Sequence, residues 1–207
     1  MGNRDLFKVG NILDLLGEYK IIYPEDELNK DKIIGFIKSG GKFCGKDGRE
    51  EHITGSAWIV NKKFTRVLLT HHKKLERWVQ LGGHMESGEQ VYDTAFREAF
   101  EESGLMSLTP VSEEIFDIDV FFVPEYVNKK EHWHYDIRFL FCAEERENPR
   151  ISCESHDVKW LDLDKLENYT TERSILRMRQ KCYSYTGNFP VRKDFYSFIV
   201  KSEKESD

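Results

Sequence analysis

The sequence predicts an α/β fold of the α+β kind, in which a mixed sheet lies between helical layers, with a helical extension ahead of it. Three observations predict it. Strand-like segments recur at 54–60, 66–70, 115–123 and 132–141, and the first two lie close enough to form a hairpin. Between the two strand groups, residues 87–105 carry an apolar stripe at helical spacing. Ahead of both, residues 6–40 repeat apolar side chains every three or four positions. Residues 1–50 are therefore assigned to an N-terminal helical extension, and 51–207 to the main domain with its C-terminal helices.

In the extension, Leu6, Val9, Leu13 and Leu16 share one helical face. After Pro24, with Asp26 or Asn29 as cap, Ile33, Ile34 and Ile37 repeat the pattern. Such a face is read as packing on the domain; a homodimer contact or a substrate contact are its alternative uses. Gly40-Gly41 and the stretch 45–48 mark turns. Thr54–Val60, TGSAWIV, reads as a strand, Lys62-Lys63 as a turn, and Arg66–Thr70, RVLLT, as its hairpin partner. His71-His72-Lys73-Lys74 reads as a basic loop suited to phosphate oxygens. Adjacent strand residues face opposite sides, which argues against a metal shared by the two imidazoles.

The stretch 81–105, LGGHMESGEQVYDTAFREAFEESGL, organises the chain. Ser87 reads as the N-cap, with Gln90 completing a capping box. Val91, Tyr92, Ala95, Phe96, Ala99 and Phe100 make the buried stripe. Gly104 suits the left-handed position after the helix, with Leu105 as its hydrophobic contact. Glu98, Glu101 and Glu102 fall on one helical face. Like charges at that spacing repel, so something cationic compensates them, and a hard divalent ion with oxygen ligands is the natural candidate. Gly82-Gly83 ahead of the helix lets the backbone approach a ligand closely.

These residues resemble the Nudix box, G-x5-E-x7-R-E-U-x-E-E-x-G-U, where U is bulky and aliphatic. Gly83, Glu89, Arg97, Glu98, Glu101, Glu102 and Gly104 supply all seven fixed identities, and Leu105 the second U. At average residue usage such a match arises by chance in roughly one chain in a million. Ala99 at the first U is smaller than usual but apolar. The W-x-x-P-G-G segment that often precedes the box is present as Trp78 to Gly83, with Leu81 in place of Pro. The resemblance implies an α/β/α sandwich with the box as a loop–helix–loop over a mixed sheet. It implies that Glu98, Glu101, Glu102 and the Gly83 carbonyl hold Mg²⁺ (or Mn²⁺). Arg97 would pair with Glu89 or with a metal-binding glutamate, and the base would be Glu101, Glu102 or a residue of another loop. Glu89 and Gly104 would have structural roles.

After the helix, Ile115–Val123, IFDIDVFFV, reads as a strand ended by Pro124, and the stretch 128–131 as a loop. In HWHYDIRFLF, His132, His134, Asp136 and Arg138 line one strand face. Polar residues in register need partners, so this row reads either as a substrate-facing wall, with the histidines and Arg138 near phosphate or sugar, or as a hydrogen-bonded network. A second metal ion on this row is the less favoured reading, since Mg²⁺ prefers oxygen ligands. Glu154-Ser155-His156-Asp157-Val158-Lys159-Trp160-Leu161 resembles the acidic-then-Trp segment of Nudix domains, a turn into a last core strand; a plain surface turn is the commoner role of such residues, with Glu154 or His156 reaching the metal site as the alternative. Asp162 and Asp164 precede a helix start, and Thr171 caps a helix from Glu172 to about Tyr183. The segment from Phe195 to Val200 is apolar enough to pack, and 201–207 is charged and expected to fray.

The net charge of −6 argues against a general nucleic-acid binder, though not against a nucleotide substrate served by a metal. Four scattered cysteines with no CxxC read as reduced thiols, and no run is long enough to span a membrane. The N-terminus has no signal-peptide core, and Leu6 breaks the myristoylation pattern, so a cytoplasmic protein is expected. The expected activity is metal-dependent hydrolysis of the pyrophosphate bond in a nucleoside diphosphate linked to another group. A non-catalytic Nudix-fold nucleotide sensor would be expected to lose box glutamates. An isopentenyl-diphosphate-type isomerase would need an active-site cysteine, for which Cys44 and Cys142 lack a recognisable context.

Overall fold

The computed structural model describes residues 12–41, 51–125 and 130–186. Seven strands form one mixed sheet: β1 (His52–Asn61), β2 (Arg66–His72), β3 (Arg77–Val79), β4 (Leu81–His84), β5 (Thr109–Val123), β6 (His132–Ala143) and β7 (Ser155–Asp162). The main path runs β3-β2-β1-β6-β5, with β4 on β1 and β7 on β2. β1 and β6 are parallel; every other pair is antiparallel.

Alternation along β1 separates the two cores. Ile53, Ala57 and Ile59 face one side, where helix α3 (Val91–Ser103) packs through Val91, Tyr92, Ala95 and Ala99. Trp58 and Val60 face the other, against helix α4 (Arg173–Thr186) through Ile175, Met178 and Cys182. This period of two puts an apolar layer on each face, which is why the sheet is sandwiched as expected. Helices α1 (Ile12–Glu18) and α2 (Pro24–Lys38) pack on β5, the end strand of the path, burying Ile12, Leu16 and Ile33.

Several local expectations change. Helix α3 starts at Val91, not after Ser87. Gly88 at φ 82° turns the chain first, and the Glu89 carboxylate accepts the Glu86 N–H at 3.0 Å and the Thr94 hydroxyl at 2.8 Å, taking the place of a serine cap. Phe96 and Phe100 stand at the open margin of the stripe, 37% and 42% exposed. Pro24 opens α2, and Asp26 lies inside it, accepting the N–H groups of Ile22 and Tyr23. Thr170, not Thr171, accepts the Glu172 N–H ahead of α4. Residues 163–168 form a 3₁₀ segment. β5 begins six residues earlier than expected, because irregular register near Ile115 hides its alternation. Gly104 is left-handed at φ 65°, and Leu105 is fully buried beside it, as expected. Leu6, Val9, Cys44, the turn at 45–48, Asn128 and Phe195–Val200 lie outside the described residues.

A charged network fastens the α1–α2 pair. The Lys181 ammonium donates to Asp26 at 2.9 Å, Asp117 at 2.7 Å and the Tyr19 hydroxyl at 2.5 Å. Arg177 forks onto Asp117 at 3.0 and 2.8 Å. Burial opposes ionisation of Asp117, but Arg177, Lys181 and Arg138 outweigh it and hold the carboxyl well below its usual range.

Candidate active site

β1 changes partner along its length. Ile59 and Val60 pair with β2, while Thr54 to Ala57 pair with β4. The β3–β4 stretch thus fills the opening where β1 and β2 splay, and brings Gly82 and Gly83 opposite Ser56 and Gly55. Leu81, where the related motif has Pro, is a fully buried strand residue paired with Ala57. A Cβ on Gly83 would lie 2.5 Å from the Glu98 carboxylate, so a glycine is what lets the backbone sit against that side chain.

Arg97 organises the box. Its Nε and Nη2 donate to the two oxygens of Glu89 at 2.9 and 3.1 Å, and Nη2 also donates to the His84 carbonyl at 3.0 Å. Its Nη1 donates to Glu98 at 2.7 Å and Glu101 at 3.2 Å. One guanidinium therefore joins the pre-helix loop to two of the three helix-face carboxylates. Burial works against the Glu89 charge, but Arg97, the Glu86 N–H and the Thr94 hydroxyl together lower its pKa.

Glu102 faces inward and accepts the Gly82 N–H at 3.2 Å. Burial, augmented by the charges of Glu98, Glu154 and Glu101, pushes its pKa up to about 8. Burial also raises Glu98, against the pull of Arg97 and with Glu101 and Glu154 adding to it. Glu154 is thus close enough for its charge to act on Glu98 and Glu102. It lies 3.8 Å from His72 Nε2 and 3.9 Å from Lys74 Nζ, so the basic loop borders the same space. His71 points elsewhere, its ring near Trp78 and His156, and His156 pairs with Glu76 at 2.9 Å. The two adjacent histidines do face different neighbours.

The polar row on β6 divides in two. Asp136 accepts from Thr54, Ser56, Gln80 and Arg138, at 2.8, 2.7, 3.0 and 2.7 Å. Arg138 completes its fork on Asp117 and Asp119 at 2.9 and 3.0 Å. At 1% and 2% exposure, Asp136 and Arg138 are committed to one another and to the sheet, which corrects their placement on a substrate wall. Charges in the interior persist only when paired, and these are. His132 and His134, at the other end of the row, gather with His52 and His84. Gln80, Thr54, Ser56, His52 and His84 escaped the sequence reading, because strand pairing alone brings them to the row. Asp117 and Asp119 carried a signal in the D-x-D alternation of an otherwise apolar strand.

The described cysteines are free thiols. Cys142 lies ten residues along β6 from His132, and Cys182 is on the buried face of α4. No helix among the described residues is long and apolar enough to cross a membrane.

The site is thus a helix face of carboxylates beside an opening in a mixed sheet packed between helices. The family model described as NUDIX domain matches residues 51–205, and the chain belongs to that family. It is an enzyme that hydrolyses pyrophosphate bonds. A probable DHNTP pyrophosphohydrolase of Lactococcus lactis is 28% identical over 138 residues, covering 65% of this chain and 81% of that one. An uncharacterized Nudix hydrolase of Bacillus subtilis, YvcI, is 30% identical over 104 residues, covering 50% and 62%. Among solved structures, a NUDIX-family hydrolase from Clostridium perfringens is 26% identical with a TM-score of 0.51, covering 65% of this chain and 97% of that one. An Ap4A hydrolase of C. elegans shares the fold at 19% identity and a TM-score of 0.53, covering 66% and 98%.

Proposed function

We propose that the chain hydrolyses the pyrophosphate bond of a nucleoside diphosphate linked to another group, using a divalent cation, Mg²⁺ or Mn²⁺, at Glu98, Glu101, Glu102 and the Gly83 carbonyl. The observation that carries this reading is the charge balance around Arg97. Among the described residues Arg97 is the cation bonded to Glu89, Glu98 and Glu101, while the buried Glu102 has the Gly82 N–H and the charges of Glu98, Glu101 and Glu154 beside it. A hard cation with oxygen ligands suits that donor set. When bound, such an ion supplies charge neutralisation for the phosphate oxygens and acidifies a coordinated water.

The chain's own residues do the rest. Arg97, braced by Glu89, fixes the rotamers of Glu98 and Glu101. Glu102 is held by the Gly82 N–H in a buried site that disfavours its charge, a cost that a bound cation would offset, and Glu101, Glu102 or a residue of another loop takes the proton from the attacking water. His72 and Lys74 stand beside Glu154, where phosphate oxygens of the substrate would meet them. The relative named for DHNTP puts that compound on the substrate panel beside nucleotide sugars, ADP-ribose, CDP-alcohols, dinucleoside polyphosphates and oxidised nucleoside triphosphates. Phosphate-coupled hydrolysis across this panel with Mg²⁺, using Glu101→Gln as the blank, tests the reading. A metal-dependent signal lost in the variant supports it. Silence across the panel from folded, Mg²⁺-binding protein would move the assignment to a nucleotide sensor.

A further inference from the structure

His52, His132 and His134 meet where the parallel strands β1 and β6 begin. His52 is paired in register with His134, and His132 precedes it by two residues on the same face. One ligand nitrogen from each lies within 4.8 Å of the others. His52 and His132 are buried, and His134 is half-buried. His84 adds a fourth ring from β4, its centroid 4.6 Å from that of His52 and 5.6 Å from that of His134. Four of the seven histidines of the chain thus collect in one place.

We propose that these imidazoles form a second metal site, distinct from the carboxylate site, that takes a borderline transition ion such as Zn²⁺. Two features prepare the cluster to take a metal. The first is the orientation of His132. Its Nδ1 lies 2.7 Å from the Lys130 carbonyl, so Nδ1 carries the proton and Nε2 presents its lone pair inward. A backbone carbonyl on the far nitrogen is the outer-shell partner that metal-bound histidines use. The second is spacing. His132 Nε2 accepts a hydrogen bond from His134 Nε2 at 2.9 Å, so the two nitrogens already converge on one proton that an ion would replace. Two ligands of a tetrahedral zinc, each about 2.0–2.1 Å from the ion, are separated by about 3.3 Å, so a small ring rotation opens the pair to ligand distance.

The donor set also selects the ion. Neutral imidazoles bind Zn²⁺, Co²⁺ and Ni²⁺ far better than Mg²⁺, whereas the box carboxylates favour the hard cation. The two sites are neighbours, since His84 follows Gly83 directly. An ion held by β1 and β6 would pin the strand ends beside β4 and the carboxylate site. This inference does not depend on which anhydride the enzyme cleaves.

The test uses the full chain, stripped of metal and then saturated with Mg²⁺, titrated with Co²⁺ as a visible-absorbing probe. One equivalent should bind with the intense absorption of a four-coordinate, nitrogen-rich site, and Zn²⁺ should displace it. His132→Gln and His134→Gln should each weaken binding by at least the ~10–100-fold seen on losing an outer-shell partner, while Glu98→Gln retains it. Absorption that survives both histidine changes but vanishes in Glu98→Gln would overturn the proposal, as would no Co²⁺ uptake over Mg²⁺. Should the histidine variants fail to fold, X-ray absorption of the wild-type Zn²⁺ form decides: an imidazole shell supports the site, and an oxygen-only shell refutes it.

Discussion

Arg97 and Glu89 meet as two parallel N–H···O bonds of 2.9 and 3.1 Å, fork against fork. A guanidinium locked on one side by this pair has its remaining donors fixed in direction, and they point at Glu98 and Glu101. A lysine keeps the charge but has no fork. Arg97→Lys should therefore lower kcat by on the order of 10–100-fold and weaken Mg²⁺ binding, with little change in KM for the substrate–metal complex. Isothermal titration with Mg²⁺ alongside steady-state kinetics separates this positioning role from general destabilisation, which would leave Mg²⁺ affinity per folded molecule unchanged.

Glu101→Gln and Glu102→Gln each remove a carboxylate charge while nearly preserving shape. Loss of a proton acceptor costs on the order of 10²–10⁴-fold in rate, so hydrolysis should be all but abolished, with circular dichroism and melting behaviour preserved. Wild-type turnover in either variant would defeat the site assignment.

The pH dependence follows from Glu102. Its pKa in the folded chain, about 8, lies above its ordinary 4.5, so folding favours the protonated form. Without a divalent cation, its contribution to stability is fully present below the ordinary value and fades as pH rises through about 8. Glu98, raised in the same direction, reinforces the trend. Mg²⁺ must displace the Glu102 proton, so the stabilisation it confers should grow with pH over the same window. Melting curves with and without Mg²⁺, taken at steps across that range, should diverge as pH rises. Parallel curves would show that Glu102 does not ligate the ion.

Lys181 draws Asp26 of α2, Asp117 of β5 and Tyr19 into one buried contact. Its loss takes the nearest cation from the buried Asp26, while Asp117 keeps Arg177 and Arg138. Lys181→Met should destabilise the fold by roughly 3–5 kcal/mol, the usual cost of breaking one side of a buried pair. Cleavage by a protease between α1 and α2 should accelerate in the variant. Unchanged melting would mean that apolar packing alone holds the N-terminal helices.

The parts legible in the sequence are those set by local spacing. The α3 stripe, the glutamate face, the left-handed Gly104 and the alternation of β1 and β6 are written in periods of 3.6 and 2. What escaped is set by pairing between distant segments. Nothing near His52 announces that β1 runs parallel to β6 and brings it beside His134. Arg138 reads equally as a substrate contact until β5 supplies Asp117 and Asp119. The short β3 and β4 are too brief to show alternation, and exist because the splay between β1 and β2 leaves backbone groups for them to satisfy.

Gly83→Ala separates fold from chemistry at one atom. The added Cβ would meet the Glu98 carboxyl carbon and Oε1 at 2.5 Å, and both belong to the far end of a flexible side chain. Backbone need not move, so stability should change by no more than about 0.5 kcal/mol, as for an ordinary peripheral substitution. The carboxylate must move, and with it the bond to Arg97 and the proposed ligand position. Mg²⁺ affinity and kcat should each fall on the order of 10–100-fold, and Glu98→Gln combined with Gly83→Ala should be little worse than Glu98→Gln alone, because the alanine acts through that side chain. Full additivity of the two changes would place the effect of Gly83 on its own backbone and not on Glu98.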